Sequence, residues 1–260
     1  MPLLKTPAIS LKGRKWGDAD RIVTFYTLRF GKLRGVARGA RRSKARFGAS
    51  LEPFVHTDLN LFEKRGDSLY RITQADIRDP FARLREDLGL MAAAGRLANL
   101  VDAVTGEGDA GPRVFDTLLE GLAAIQTSED PTLTALLFQI RLLGLAGFRP
   151  QTDHCAACGD TAEEGRAFVS SHFSPTSGGL LCEGCAGRQR QSCLPLSPGS
   201  LAFMQHAIRW KPSVLTRLKA EGRVRAEAEA AVESYVTVVT GKRLPPVDFL
   251  VAEPAAPYGL

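Results

Sequence analysis

Long apolar runs are missing from this chain. The most apolar window, Leu133 to Phe148, is interrupted by Gln139 and Arg141 and is too short to span a bilayer. Lys5, Lys12, Arg14 and Lys15 leave no room for the apolar stretch of a secretory leader. The expected location is therefore the cytoplasm, where thiols stay reduced. Histidine is scarce: His56, His154, His172 and His206 are the only four, and none falls in an H-E-x-x-H motif. Neither a G-x-S-x-G elbow nor a phosphate-loop arrangement occurs. A metal-dependent nuclease needs clustered carboxylates. Asp18 and Asp20 have no partner acids at that spacing and read as a turn before a strand. Repeats and low-complexity tracts are absent too. No enzyme is expected.

What is present is charge, unevenly placed. The 260 residues are 44% apolar, ordinary for a globular protein, and the net charge of +6 hides an asymmetry. Residues 1–80 hold 17 Lys and Arg against 8 Asp and Glu, a net +9. The other 180 hold 17 against 20, a net −3. An N-terminal unit that meets phosphate is the reading this supports. Within it, Lys32, Arg34, Arg38, Arg41, Arg42, Lys44 and Arg46 follow one another without an intervening acid. Glycines at 31, 35 and 39 punctuate the run and are expected to let the backbone approach a ligand. These seven bases are the candidate contacts to a polyanion, and where that is a nucleic acid Trp16 or Phe47 are candidates for stacking on bases.

The alternation of Ile9 and Leu11, then Arg21–Leu28, Leu33–Ala37, Phe54–Phe62 and Leu69–Ala75, marks five short strands. The last follows a turn at Arg65-Gly66-Asp67-Ser68. Five strands in some seventy residues suit a small closed barrel without exposed edges, of the OB type. From Pro80 the period is helical, through Phe81, Leu84, Leu88, Met91, Leu97 and Val101. Further helices are expected from Pro112 to Thr127, from Pro131 to Gly147, and from Pro198 to Trp210. Two more follow, from Pro212 to about Ala220 and from about Arg223 to Thr240. The fold class is α+β: a barrel over 1–79 and a helical domain in two parts, 80–150 and 196–244. A loop-rich module over 151–195 is inserted between them, and an extended tail runs over 245–260.

The module carries Cys155-Ala-Ala-Cys158 and Cys182-Glu-Gly-Cys185. A two-residue spacer lets both thiolates of a pair reach one ion, and two such pairs point to tetrahedral zinc. Two disulfides would fit a secreted chain. A redox-active pair would accompany a βαβ pattern that is missing here. His154 and His172 lie close enough in sequence to replace a cysteine, although four thiolates already fill a tetrahedron. Cys193 reads as a spare apolar residue. A site filled by four thiolates has no position for water, so the ion stabilises and does not catalyse.

The run W-G-D-A-D-R-I-V-T-F-Y-T-L-R-F-G-K from Trp16, then V-A-R-G-A-R-R-S-K-A-R from Val36 and L-E-P-F at Leu51–Phe54, closely resembles the N-terminal domain of the RecO family of bacterial recombination mediators. L-L-G-L-A-G-F-R-P at Leu142–Pro150, leading into the first C-x-x-C, resembles that family's junction between helix and zinc module. Pro245-Pro246 and the tail depart from its plainer end. The resemblance implies binding of single- and double-stranded DNA, annealing of complementary strands, and help in loading RecA onto DNA covered by single-strand-binding protein. It also implies RecR as a partner and a nucleoid-associated place in the cell. The acidic tail of the single-strand-binding protein ends in an apolar residue. Its expected receptor is the helix Leu133–Ala146, with Arg141 on an otherwise apolar surface. The other reading of Arg141 is a cap on a core helix end. A zinc-bearing transcription or translation factor would share the barrel and the cysteines, and strand annealing separates the two.

Overall fold

The computed structural model describes residues 3–42, 47–63, 69–161, 171–188 and 193–245. Lys44, Arg46, the turn at 65–68 and residues 246–260 of the tail lie outside them. Five strands close into a barrel in the order β1-β2-β3-β5-β4, which is the OB arrangement. β1 (Leu3–Trp16) is far longer than the alternation at Ile9 and Leu11 marks, because it serves two partners. Its first half pairs with β4 (His56–Phe62), from Leu3↔Phe62 to Ile9↔His56. Its second half pairs with β2 (Asp20–Thr27), from Ala8↔Thr27 to Trp16↔Asp20. A register shift between Ser10 and Lys12 bends it from one partner to the other. β3 (Gly31–Ala37) runs antiparallel to β2, and β5 (Tyr70–Asp79) closes the ring through a parallel pairing at Gly35↔Tyr70 and Val36↔Arg71.

Side chains alternate across β3. Leu33 and Ala37 enter the barrel core with Val23, Phe25, Leu59, Leu61 and Ile72, while Lys32, Arg34 and Val36 face outward. Phe47 also joins that core, at 8% exposure, which removes it as a stacking residue.

Phe81 has a left-handed backbone, and a short 3-10 turn over Ala82–Arg85 precedes the first helix, so regular helix begins later than Pro80. α1 (Leu88–Val104) is capped by Asp87, whose carboxylate accepts from the Leu90 N–H at 2.8 Å. α2 (Pro112–Thr127) and α3 (Pro131–Leu145) each open on a proline, as the spacing predicts. α3 is apolar nearly all round because it lies inside the helical core. The inserted module is a three-stranded sheet of β6 (Ser171–Ser174), β7 (Gly179–Leu181) and β8 (Leu194–Leu196), with the short α4 (Glu183–Arg188). α5 (Pro198–Arg209), α6 (Pro212–Leu215) and α7 (Gly222–Thr240) complete the helices. α6 stops well short of Ala220.

Barrel and helices are fused. Ile9, Leu11, Tyr26 and Phe54 belong to the same buried cluster as Leu97, Leu118, Leu136 and Val232. The Tyr26 hydroxyl accepts from the Gly111 N–H at 3.1 Å, and the Lys32 carbonyl accepts from the Gly108 N–H at 3.1 Å. No helix among the described residues is long and apolar enough to cross a membrane.

Candidate nucleic-acid interface and metal centre

The basic run divides between two places. Lys32 and Arg34 sit on the outer face of β3 where the loop between α1 and α2 crosses it. Lys32 Nζ donates to the Asp102 carbonyl at 2.5 Å and lies 3.6 Å from its carboxylate. Arg34 pairs with Glu107 at 2.6 Å, and Lys12 on β1 reaches the same Asp102 at 2.8 Å. These bases join the barrel to the helical domain. Gly31 serves the same contact, and Gly35 serves one inside the barrel. A Cβ on Gly31 would stand 2.1 Å from the Asp109 carbonyl oxygen, and one on Gly35 would stand 2.7 Å from Ile72 Cγ1. The close approach that glycine permits at these two positions is to the protein itself.

Arg38, Arg41 and Arg42 lie at the opposite end of β3, and all three are exposed. The segment that carries them is pinned to the tip of the β1–β2 hairpin. The Arg41 N–H donates to the Ala19 carbonyl at 2.9 Å, its guanidinium reaches the Gly17 and Asp18 carbonyls, and the Gly39 N–H donates to the Asp20 carboxylate at 2.8 Å. The hairpin contributes exposed Arg14, Lys15 and Trp16 to the same rim. Five bases thus face two acids, Asp18 and Asp20, at one end of the barrel. Arg14 and Lys15 lie outside the uninterrupted basic run, and the one sequence signal for them is the K-G-R-K-W segment. Exposed charge on a rigid support attracts phosphate without reading sequence.

The four cysteines converge. The sulfurs of Cys155, Cys158, Cys182 and Cys185 lie within 4.8 Å of one another, the one group among the described residues that could hold a metal. Cys155 and Cys158 ride a tight turn closed by the Gly159 N–H to the Cys155 carbonyl at 2.9 Å, with Gly159 in the left-handed region. Cys182 precedes α4, and Cys185 lies within it. Burial raises the Cys155 thiol, but the backbone N–H groups of Cys182, Cys158 and Ala157 bring it down to about 6. Cys158, among its sulfur neighbours, is pushed up to about 12. Against a backbone N–H that lowers it, burial and its sulfur neighbours also raise Cys182. Four sulfurs held this close are a donor set that suits a dication. Leu181 packs between Cys155 and Cys185, and Cys193 packs against this cluster from outside it. His154 bridges to Thr161, His172 lies on β6, and His206 stacks edge-on against Trp210, so none joins the four sulfurs.

Arg141 is half-buried on α3, and its guanidinium donates to the Trp210 carbonyl at the end of α5 at 2.5 Å. Burial, then the charge of Arg113, holds its pKa below the ordinary arginine value. The Glu120 charge opposes that of Arg113.

Fold and sites define a class: an OB-barrel protein with a basic rim, fused to a helical body that carries a four-cysteine module able to hold a metal ion. Residues 1–81 match the family described as Recombination protein O N terminal, and residues 85–246 match Recombination protein O C terminal. The chain belongs to the RecO family. It is 31% identical over 250 residues to the DNA repair protein RecO of Desulforamulus reducens, covering 96% of this chain and 94% of the relative. It is 34% identical to that of Symbiobacterium thermophilum, covering 96% and 97%. It is 36% identical to that of a Roseiflexus species over 89% and 79%.

Proposed function

We propose that this chain is a non-catalytic DNA repair and recombination mediator that binds single- and double-stranded DNA at the barrel rim. The observation that carries the reading is the gathering of exposed Arg38, Arg41 and Arg42 with Arg14 and Lys15 around one hairpin tip. Each guanidinium or ammonium that neutralises a phosphate releases counterions, which gives salt-dependent affinity with little sequence preference. Charge concentrated on one rim lowers the repulsion between two strands bound together, and this favours annealing. Lys44 and Arg46 continue the same run and extend the contact. Through the rim the protein keeps bare strands together, and through its partners it helps load RecA onto DNA covered by single-strand-binding protein.

Zinc in the Cys155, Cys158, Cys182 and Cys185 site holds the inserted module together. Arg141 on α3, which feels the charge of Arg113 on α2, receives the acidic tail of the single-strand-binding protein. RecR is the stable partner, and the setting is the cytoplasm at the nucleoid. Fluorescence annealing of complementary oligonucleotides, with and without single-strand-binding protein, tests the reading: acceleration in both conditions is expected. Tight DNA binding without annealing would instead favour a zinc-bearing transcription or translation factor.

A further inference from the structure

Among the described residues, the large aromatic side chain left most in the open stands inside the cationic rim. Trp16, the last residue of β1, is 49% exposed, whereas Phe25, Phe47, Phe54 and Tyr26 are all buried. A singly exposed apolar side chain is ordinary on a folded surface, so what matters is the chemistry gathered around this one. The Arg14 guanidinium lies over its ring, 5.6 Å from the centroid. Trp16 pairs across the hairpin with Asp20, whose carboxylate holds the Gly39 N–H of the arginine segment. The backbone that carries the indole is thus paired with the residue whose carboxylate holds the turn that presents Arg38, Arg41 and Arg42. This is a flat π-face with a positive charge over it and further positive charges within one loop's reach.

We propose that Trp16 stacks on an unpaired nucleobase, and that this contact gives the rim a preference for single-stranded over double-stranded DNA. The inference rests on the rim being the DNA surface. The partner that fits must offer a π-face and a phosphate a few ångströms apart, and an unpaired nucleotide offers both. In a duplex the bases are stacked on each other and their faces are closed, so the phosphates alone remain available. Stacking on an indole tolerates any base, so single-strand preference arises without sequence preference. Arg14 holds the ring from its cationic side and stands beside the phosphate of the stacked nucleotide.

The test compares the full chain with Trp16→Ala and Trp16→Phe on three probes: oligo-dT, an abasic strand of equal length and a duplex. Trp16→Ala is expected to weaken oligo-dT binding about tenfold, in the range that loss of one base–aromatic stack produces, and Trp16→Phe to restore most of it. Binding to the abasic strand and to the duplex should change less than about twofold. Equal effects of Trp16→Ala on all three probes, or no effect on oligo-dT, would overturn the proposal. An Arg38→Ala, Arg41→Ala, Arg42→Ala variant run in parallel separates this failure from failure of the rim itself. If that variant flattens the salt dependence while Trp16→Ala does nothing, the rim stands and the stacking falls. If neither changes binding, both fall.

Discussion

Gly31→Ala tests the fusion of barrel and helical domain, the contact that engages Lys32 and Arg34 and sets them apart from the basic rim. Gly31 has φ of 61°, and its Cβ would meet the Asp109 carbonyl oxygen at 2.1 Å and the Ala110 nitrogen at 2.7 Å. Alanine in the left-handed region costs about 1–2 kcal/mol. The clash is with backbone, so the loop between α1 and α2 must move. That movement breaks the Gly108 N–H to Lys32 carbonyl bond and the Gly111 N–H to Tyr26 hydroxyl bond, both 3.1 Å. At about 1 kcal/mol each, the two bonds bring the total to about 3–4 kcal/mol. Stiffening of the unfolded chain offsets up to about 1 kcal/mol. Gly48 supplies the control, because its φ is 50° and nothing lies within 4 Å of its Cβ position. Gly48→Ala shares the backbone cost and the offset but has no clash. At about 2–4 °C per kcal/mol, Gly31→Ala should melt about 4–8 °C below Gly48→Ala. Melting of the two variants within about 1 °C of each other in a thermal scan would refute the close packing of this junction.

Elemental analysis of protein purified without chelator should find about one zinc per chain, as one Cys₄ site requires; Cys182→Ser should lose it and leave the barrel transition in place, and metal-free parent protein would contradict the site. His56 is held below its ordinary pKa of 6.5 by burial and then by the Arg78 charge, with Asp58 and Asp79 opposing. The unfolded chain therefore takes up a proton the folded chain resists, so stability declines as pH falls through 6.5 toward the lower folded value. His56→Gln should flatten that decline in denaturant titrations, and parallel curves for parent and variant would count against it. Arg141→Glu should weaken binding of the acidic tail peptide and spare bare oligonucleotide; equal loss of both places the tail elsewhere.

The barrel was legible because period-two alternation and turn residues mark its strands, and proline at the first turn marks α2, α3 and α5. The length of β1 was not, since Pro7 and the polar stretch after Leu11 hide a strand that turns between two partners. The cysteine site was legible from spacing, because a C-x-x-C knuckle is local. The division of the basic run was not. Lys32 and Arg34 look like Arg38 in sequence, and only folding brings Asp102 and Glu107, some seventy residues on, against the first two. Trp16 and Phe47 were equal candidates for stacking. The structure separates them, because Phe47 packs in the barrel core while Trp16 ends its strand at the hairpin tip.

The salt dependence of single-stranded DNA binding tests the central claim most directly. Arg38→Ala, Arg41→Ala and Arg42→Ala together remove three exposed guanidiniums from the rim without touching either buried cluster. Each lost phosphate contact flattens the plot of log affinity against log salt by about 0.7, so the slope should fall by about 2. The melting temperature should stay within about 2 °C of the parent, since exposed substitutions of this kind change stability little. An unchanged slope in the folded triple variant would place the DNA on another face and contradict the account.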